Sequence, residues 1–192
     1  MARPRAFSRE DLLEAAERLL IEHGYDGFHL KMLSEHIGGA RSTIYGYYAN
    51  KEEIVAACMR RAMEKILAAT ESLLELEPVT AIRRMFSLFL RHADFHKLMQ
   101  EAPKAEQVSS PKAKLDLHAL DQGHELLKSK LLMLLARAQE AGHIRADIPL
   151  PVIATVFFHA INTPIWPGMS DETWAEHLFK LWWEGSRNFF KA

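Results

Sequence analysis

Hydrophobic positions recur with the period of an α-helix along almost the whole chain. Leu12, Leu13, Ala16, Leu19 and Leu20 fall on one helical face, and Ser8 ahead of Arg9-Glu10-Asp11 reads as a capping box that starts that helix. Gly24 is placed to close it. A short second helix is expected over Leu30 to His36, ended by Gly38-Gly39, and a third over Arg41 to Tyr48. Asn50 followed by Glu53 repeats the capping pattern and opens a long helix to about Glu77, where Pro78 stops it. Further helices are expected over Val79 to Phe95, His96 to Ala102, Lys112 to Ala141, Val152 to Thr163 and Asp171 to Phe190. The clearest loop is Pro103 to Pro111, and no segment alternates with the period of a strand. These elements predict an all-α chain of about nine helices. A three-helix unit over residues 1–52 would precede a helical bundle over 53–192.

The stretch from Leu33 to Ile54, LSEHIGGARSTIYGYYANKEEI, has the layout of a helix-turn-helix. With Ile44 at the inward centre of the third helix, Tyr48 lies beside it and Arg41 and Tyr47 flank it. Ser42, Thr43, Tyr45 and Gly46 then face outward. Such a face carries an arginine able to pair with guanine, together with hydroxyls and phenols for bases and phosphates. Lys51 stands at the positive end of the next helix, where a phosphate is favoured. Arg3, Arg5 and Arg9 are a candidate basic arm for the minor groove. A helical hairpin with an inert polar face would give the same periodicity.

Composition narrows the picture. The formal net charge of the 192 residues is −1, so the chain is no general polyanion binder, and a nucleic-acid contact would rest on local charge. Cys58 is the single cysteine, which excludes an internal disulfide framework and fits a reducing, cytoplasmic setting. No apolar run reaches membrane-spanning length. His92 and His96 have a metal-ligand spacing, with Asp94 and His118 nearby, but ten histidines produce such pairs by chance, and no metal or cofactor is expected. The enzyme signatures HExxH, paired ExxH and Ser/Cys–His are missing, so no catalysis is expected.

Residues 12 to 58 carry a more specific signal. The LLEAA…GYDG opening, L-S-E-H-I-G, S-T-I-Y-G-Y-Y and N-K-E-E-I resemble the DNA-binding domain of TetR/AcrR-family transcriptional regulators. The resemblance implies DNA contacts at Lys31, Arg41, Ser42, Thr43, Tyr45, Tyr47 and Lys51. It also implies a homodimer on a palindromic double-stranded operator, and a C-terminal bundle that binds a small-molecule effector. Two positions depart from the family pattern: Phe28-His29 stands where the second helix usually begins with Ser or Thr, and Ala40 where Ser usually caps the recognition helix. Each lost cap typically costs about 1 kcal/mol.

The bundle offers material for both of its implied tasks. Met63, Leu67, Met85, Phe86, Phe89, Phe95 and Met99 are candidate walls of an apolar pocket, with His92, His118, His159 and Asn162 as polar contacts. Phe157, Phe158, Ile161, Trp166, Trp174, Leu178, Leu181 and Trp182 are candidates for the dimer interface. The expected function is a ligand-responsive regulator, most simply a repressor; the alternative is an effector-independent DNA-binding scaffold acting through protein contacts.

Overall fold

The computed structural model describes residues 7–188, so Arg3, Arg5 and the expected helix end at Phe190 lie outside the described residues. Among the described residues the chain is all-helical, with one isolated bridge pairing Ile144 with Arg187. In order, the helices are α1 (Arg9–Gly27), α2 (Leu30–His36), α3 (Arg41–Tyr45), α4 (Lys51–Glu71), α5 (Pro78–Arg91), α6 (Ala93–Glu101), α7 (Pro111–Glu140), α8 (Leu150–Ile161) and α9 (Asp171–Ser186). No described helix is long and apolar enough to cross a membrane.

Sequence-encoded caps fix several ends. Ser8 and Asp11 form the expected capping box at α1. Gly24 breaks the regular helix with φ 69, a conformation that suits glycine, and one more turn carries the chain to Gly27. Several ends differ from expectation, among them that of α9, which stops at Ser186 before an extended Arg187. The recognition helix α3 is regular only to Tyr45, and Gly46 to Tyr48 continue as a turn bonded back to Ser42, Thr43 and Ile44. Helix α4 stops at Glu71, short of Glu77. Pro78 opens α5 rather than merely ending what precedes it, with the Glu77 side chain capping Val79 and Thr80. A break at His92 then divides the expected Val79–Phe95 helix between α5 and α6.

The chain packs as two compact units. One takes the chain up to Glu64 together with Asp94–Gln122; the other takes Lys65–Ala93 together with the chain from Gly123 onward. The helix-turn-helix thus shares a unit with the first part of α4, with α6 and with the start of α7, which the division at residue 52 did not anticipate. In this first unit α2 packs against α1 and α3, over Leu12, Leu20, Phe28, Leu33, Ile44, Tyr48 and Ile54, all without solvent exposure. Arg61 of α4 is 10% exposed and binds Glu10, Glu14 and Glu17 of α1.

In the second unit α5, α8 and α9 pack on one another around an aromatic cluster. Phe86 meets Phe157 edge-on at 5.0 Å and Phe179 at 5.5 Å, and Trp182 meets Phe157 at 5.2 Å. Edge-on packing at these distances is favourable for aromatic rings. Lys130 of α7 is buried against Thr70 and Glu71. Arg137 of α7 donates to the carbonyls of Leu74 and Leu76, closing the turn that follows α4.

Candidate nucleic-acid interface

The inner face of α3 is fixed before the outer face can matter. Ile44 and Tyr48 are both fully buried, and the Tyr48 hydroxyl accepts a 2.8 Å bond from Arg9 Nε. Arg9 is therefore the first residue of α1 and a strut under the recognition segment, not part of a free arm. The two missing caps are real: neither His29 nor Ala40 makes a side-chain cap bond. At Ala40 only the backbone carbonyl serves the helix start, taking the Thr43 amide at 2.9 Å.

The turn between the two helices needs both of its glycines, for different reasons. Gly38 has φ +61, in the left-handed region. At Gly39 an added Cβ would fall 2.2 Å from a carbon of the Phe7 ring, so glycine is needed there for close approach. Phe7 is buried against this turn, and its carbonyl accepts a 3.0 Å bond from the Tyr47 hydroxyl. Sequence patterning gave no sign of this contact, because Phe7 precedes the first periodic helix.

Of the expected DNA-contact residues, Arg41, Ser42 and Tyr45 are exposed on the outer face of α3, and Thr43 is half-buried beside them. Gly46 is exposed too and has an ordinary helical φ of −70. Lys31 is exposed on α2 and pairs with Glu35 at 3.8 Å. Tyr47 is half-buried with its hydroxyl committed to Phe7. Lys51 lies 4.3 Å over the Tyr25 ring; burial pushes its ammonium pKa down, partly offset by Asp26. A desolvated cation at a helix start is well matched to a phosphate, which would restore its charge partner.

The expected effector-contact residues divide between the units. In the first, Met63, Phe95 and Met99 are buried while His118 is exposed. In the second, Met85, Phe86 and Phe89 are buried within or beside the aromatic cluster. Leu67 and His92 there are half-buried, and His159 and Asn162 exposed. Burial lowers the pKa of His92, and the neighbouring Arg91 and Lys65 lower it further; His96 is lowered by burial and by Lys104. The first unit also holds a cavity of about 10 Å³, lined by Tyr25, Glu52, Val55, Met59, Val108 and Leu117 among others. That is room for one water molecule, and one Glu52 carboxylate oxygen is buried there without a partner. Among the described residues, no three metal-capable side chains come together.

The expected dimer surface needs correction. Phe157, Ile161 and Trp182 are 0%, 6% and 4% exposed, because they fill the core of their own unit, and Phe158 stacks on Phe89. Trp166 and Leu181 remain 69% and 73% exposed, with Trp174 and Leu178 half-buried. Val152 and Val156, one turn apart on α8, are about half exposed and extend the apolar surface.

Comparison with known proteins fits this geometry. Residues 12–58 match the family described as bacterial regulatory proteins, tetR family. That region is a TetR-family DNA-binding domain. It is 29% identical over 147 residues to the HTH-type transcriptional repressor AcnR of Corynebacterium efficiens, spanning 76% of this chain and 73% of that one. Among solved structures, the ketosteroid transcriptional regulator KstR2 of Mycobacterium tuberculosis superposes with a TM-score of 0.73. It is 15% identical, over 96% of this chain and 99% of that one. The regulator FadR of Bacillus subtilis, in complex with stearoyl-CoA, gives 0.70 at 17% identity over 93% and 99%. At such identities the structural likeness speaks for the fold. Together the matches support a TetR-family DNA-binding transcriptional regulator, with the helix-turn-helix first and a helical domain following it.

Proposed function

We propose that the chain is a homodimeric repressor that grips a palindromic operator and releases it when a small, largely apolar molecule binds its C-terminal helices. The observation that carries the reading is the outer face of α3. Arg41, Ser42 and Tyr45 stand exposed over an inner face locked by Ile44 and Tyr48, a rigid reader of the size the major groove admits. Lys31, Thr43, Tyr47 and Lys51 complete the proposed contact set. Tyr47 would exchange its bond to Phe7 for one to a phosphate.

Only Ala49 and Asn50 separate the recognition segment from α4, and Asn50 caps α4 by accepting from the Glu53 amide at 2.9 Å. No flexible linker exists to absorb a displacement of α4, which would shift the reader and the spacing between the two readers of a dimer. A coupling of about 1–3 kcal/mol gives a 5- to 150-fold change in operator affinity. For the effector, a long-chain acyl thioester is the first class to try, since FadR of Bacillus subtilis holds stearoyl-CoA. The tight aromatic cluster around Phe86 favours the second reading, an effector-independent scaffold, for the part of the bundle that it fills.

Arg41→Ala tests the reader. The expected outcome is a loss of about 1–3 kcal/mol in operator binding and relaxed preference at one base pair, measured by fluorescence anisotropy, with an unchanged melting temperature. Unchanged affinity would remove Arg41 from the contact set.

A further inference from the structure

Two residues at the start of α7, far along the chain from the helix-turn-helix, are bonded into the C-terminal end of the recognition segment. Lys112 Nζ donates to the carbonyl of Tyr47 at 2.8 Å and lies 4.1 Å over the ring of Tyr48. It also stands 3.5 Å from a carboxylate oxygen of Glu53. Ser110, which caps α7 through the Ala113 amide, donates its hydroxyl to the other oxygen of Glu53 at 2.6 Å in a buried position. Glu53 itself is 7% exposed and takes the Ala49 amide at 3.0 Å. One carboxylate thus joins the Ala49-Asn50 junction, the first turn of α4 and the start of α7.

The geometry of these bonds is that of a clamp. The Tyr47 carbonyl belongs to the turn that follows α3, where the last carbonyls have no internal N–H donors left. A cation there both satisfies that carbonyl and complements the negative end of the helical segment. A charge-assisted bond to a backbone group is among the stronger single contacts available, and the buried Glu53–Ser110 bond would leave a desolvated carboxylate behind if it broke. Arg60 of α4 adds a second tie to α7 through Asp116 at 2.8 Å.

We propose that Lys112 and Ser110 are positioning residues of the DNA reader: the start of α7 holds the recognition segment in its binding pose through the Tyr47 carbonyl and Glu53. The consequence for regulation rests on the repressor reading above. The connection between α6 and α7 becomes a second route, besides α4, by which an event in the C-terminal helices reaches the DNA-binding face.

The test uses the full chain and needs no ligand. Hydrogen exchange at the amides of Ile44 to Ala49 is compared among wild type, Lys112→Ala, Ser110→Ala and the control Lys114→Ala, whose side chain is exposed on the same turn. Exchange is expected to quicken by about tenfold in the first two variants, the change that one charge-assisted bond confers, and to stay as in wild type in Lys114→Ala. In parallel, the affinity for a selected operator should fall about tenfold in Lys112→Ala. Its salt dependence and its binding to random DNA should not change, because a positioning residue neutralises no phosphate. Equal exchange in all four proteins overturns the proposal. So does a salt slope reduced by about one in Lys112→Ala, which would make Lys112 a direct phosphate contact. Should Lys112→Ala fail to fold, Lys112→Met keeps the methylene stem over Tyr48 and carries the same comparison. If the wild-type chain selects no DNA sequence, the repressor reading fails, while the exchange measurement still decides the clamp.

Discussion

At the scale of single residues, the DNA-binding face is shaped as much by what is absent as by what is present. Gly39 leaves room for the Phe7 ring, which packs in the turn and shares Tyr47 with it. Gly39→Ala is expected to destabilise the protein by about 1–3 kcal/mol, because the Phe7 ring must move. In a double-mutant cycle with Phe7→Ala, most of that cost should vanish, since the ring that clashes is gone. Independent costs that simply add would contradict the contact. None of this was readable from the sequence. The outward set on α3 was, because a 100° step per residue fixes which positions share a face once Ile44 is placed inward. Arg9 shows the limit of the same method: a basic residue near a terminus reads as a free arm until its bond to Tyr48 is seen.

At the scale of elements, local rules placed the helices and failed at the joints. The Ser8–Asp11 and Asn50–Glu53 caps were legible because each joins residues three apart. The end of α3 and the turn after Glu71 have long-range partners, Lys112 and Arg137, which a local window cannot contain. Glu53 belongs to both classes. Burial alone would raise its pKa, but bonds from Ser110 and Ala49 and the Lys112 charge outweigh burial and hold the carboxyl below its ordinary range. A carboxyl so depressed stabilises the fold above the ordinary carboxylate pKa and loses that contribution as pH falls through the folded value. Urea unfolding should therefore show wild type more stable than Glu53→Gln near neutral pH, with the gap closing as the medium is acidified below the carboxylate range. A gap that stays constant with pH would contradict the charged role of Glu53.

At the scale of the whole molecule, the question is which apolar surface the chain leaves for a partner. Counting aromatics could not separate core from surface, and the cluster of Phe86, Phe157, Phe179 and Trp182 turned out to be internal. Among the described residues, the large apolar side chains that remain exposed on α8, α9 and the loop joining them are Val152, Val156, Ile165, Trp166 and Leu181. Leu181→Glu is expected to fold normally, because its side chain is 73% exposed, but to shift the protein to monomer in sedimentation equilibrium, with loss of operator binding. A dimer of unchanged strength would move the interface elsewhere. The local excess of positive charge on one reader is small, so a single copy should bind DNA weakly and two readers together should supply both affinity and symmetry.

That symmetry gives the most direct test of the central claim. Double-stranded DNA recovered from a random pool by the full-length chain should converge on a palindrome. Its half-sites should be centred about one helical turn, roughly 10 base pairs, apart, and Arg41→Ala should relax the preference at one base pair of each half-site. Recovery of no preferred sequence, or of a preferred sequence without two-fold symmetry, would contradict the account of this chain as a dimeric operator-reading regulator.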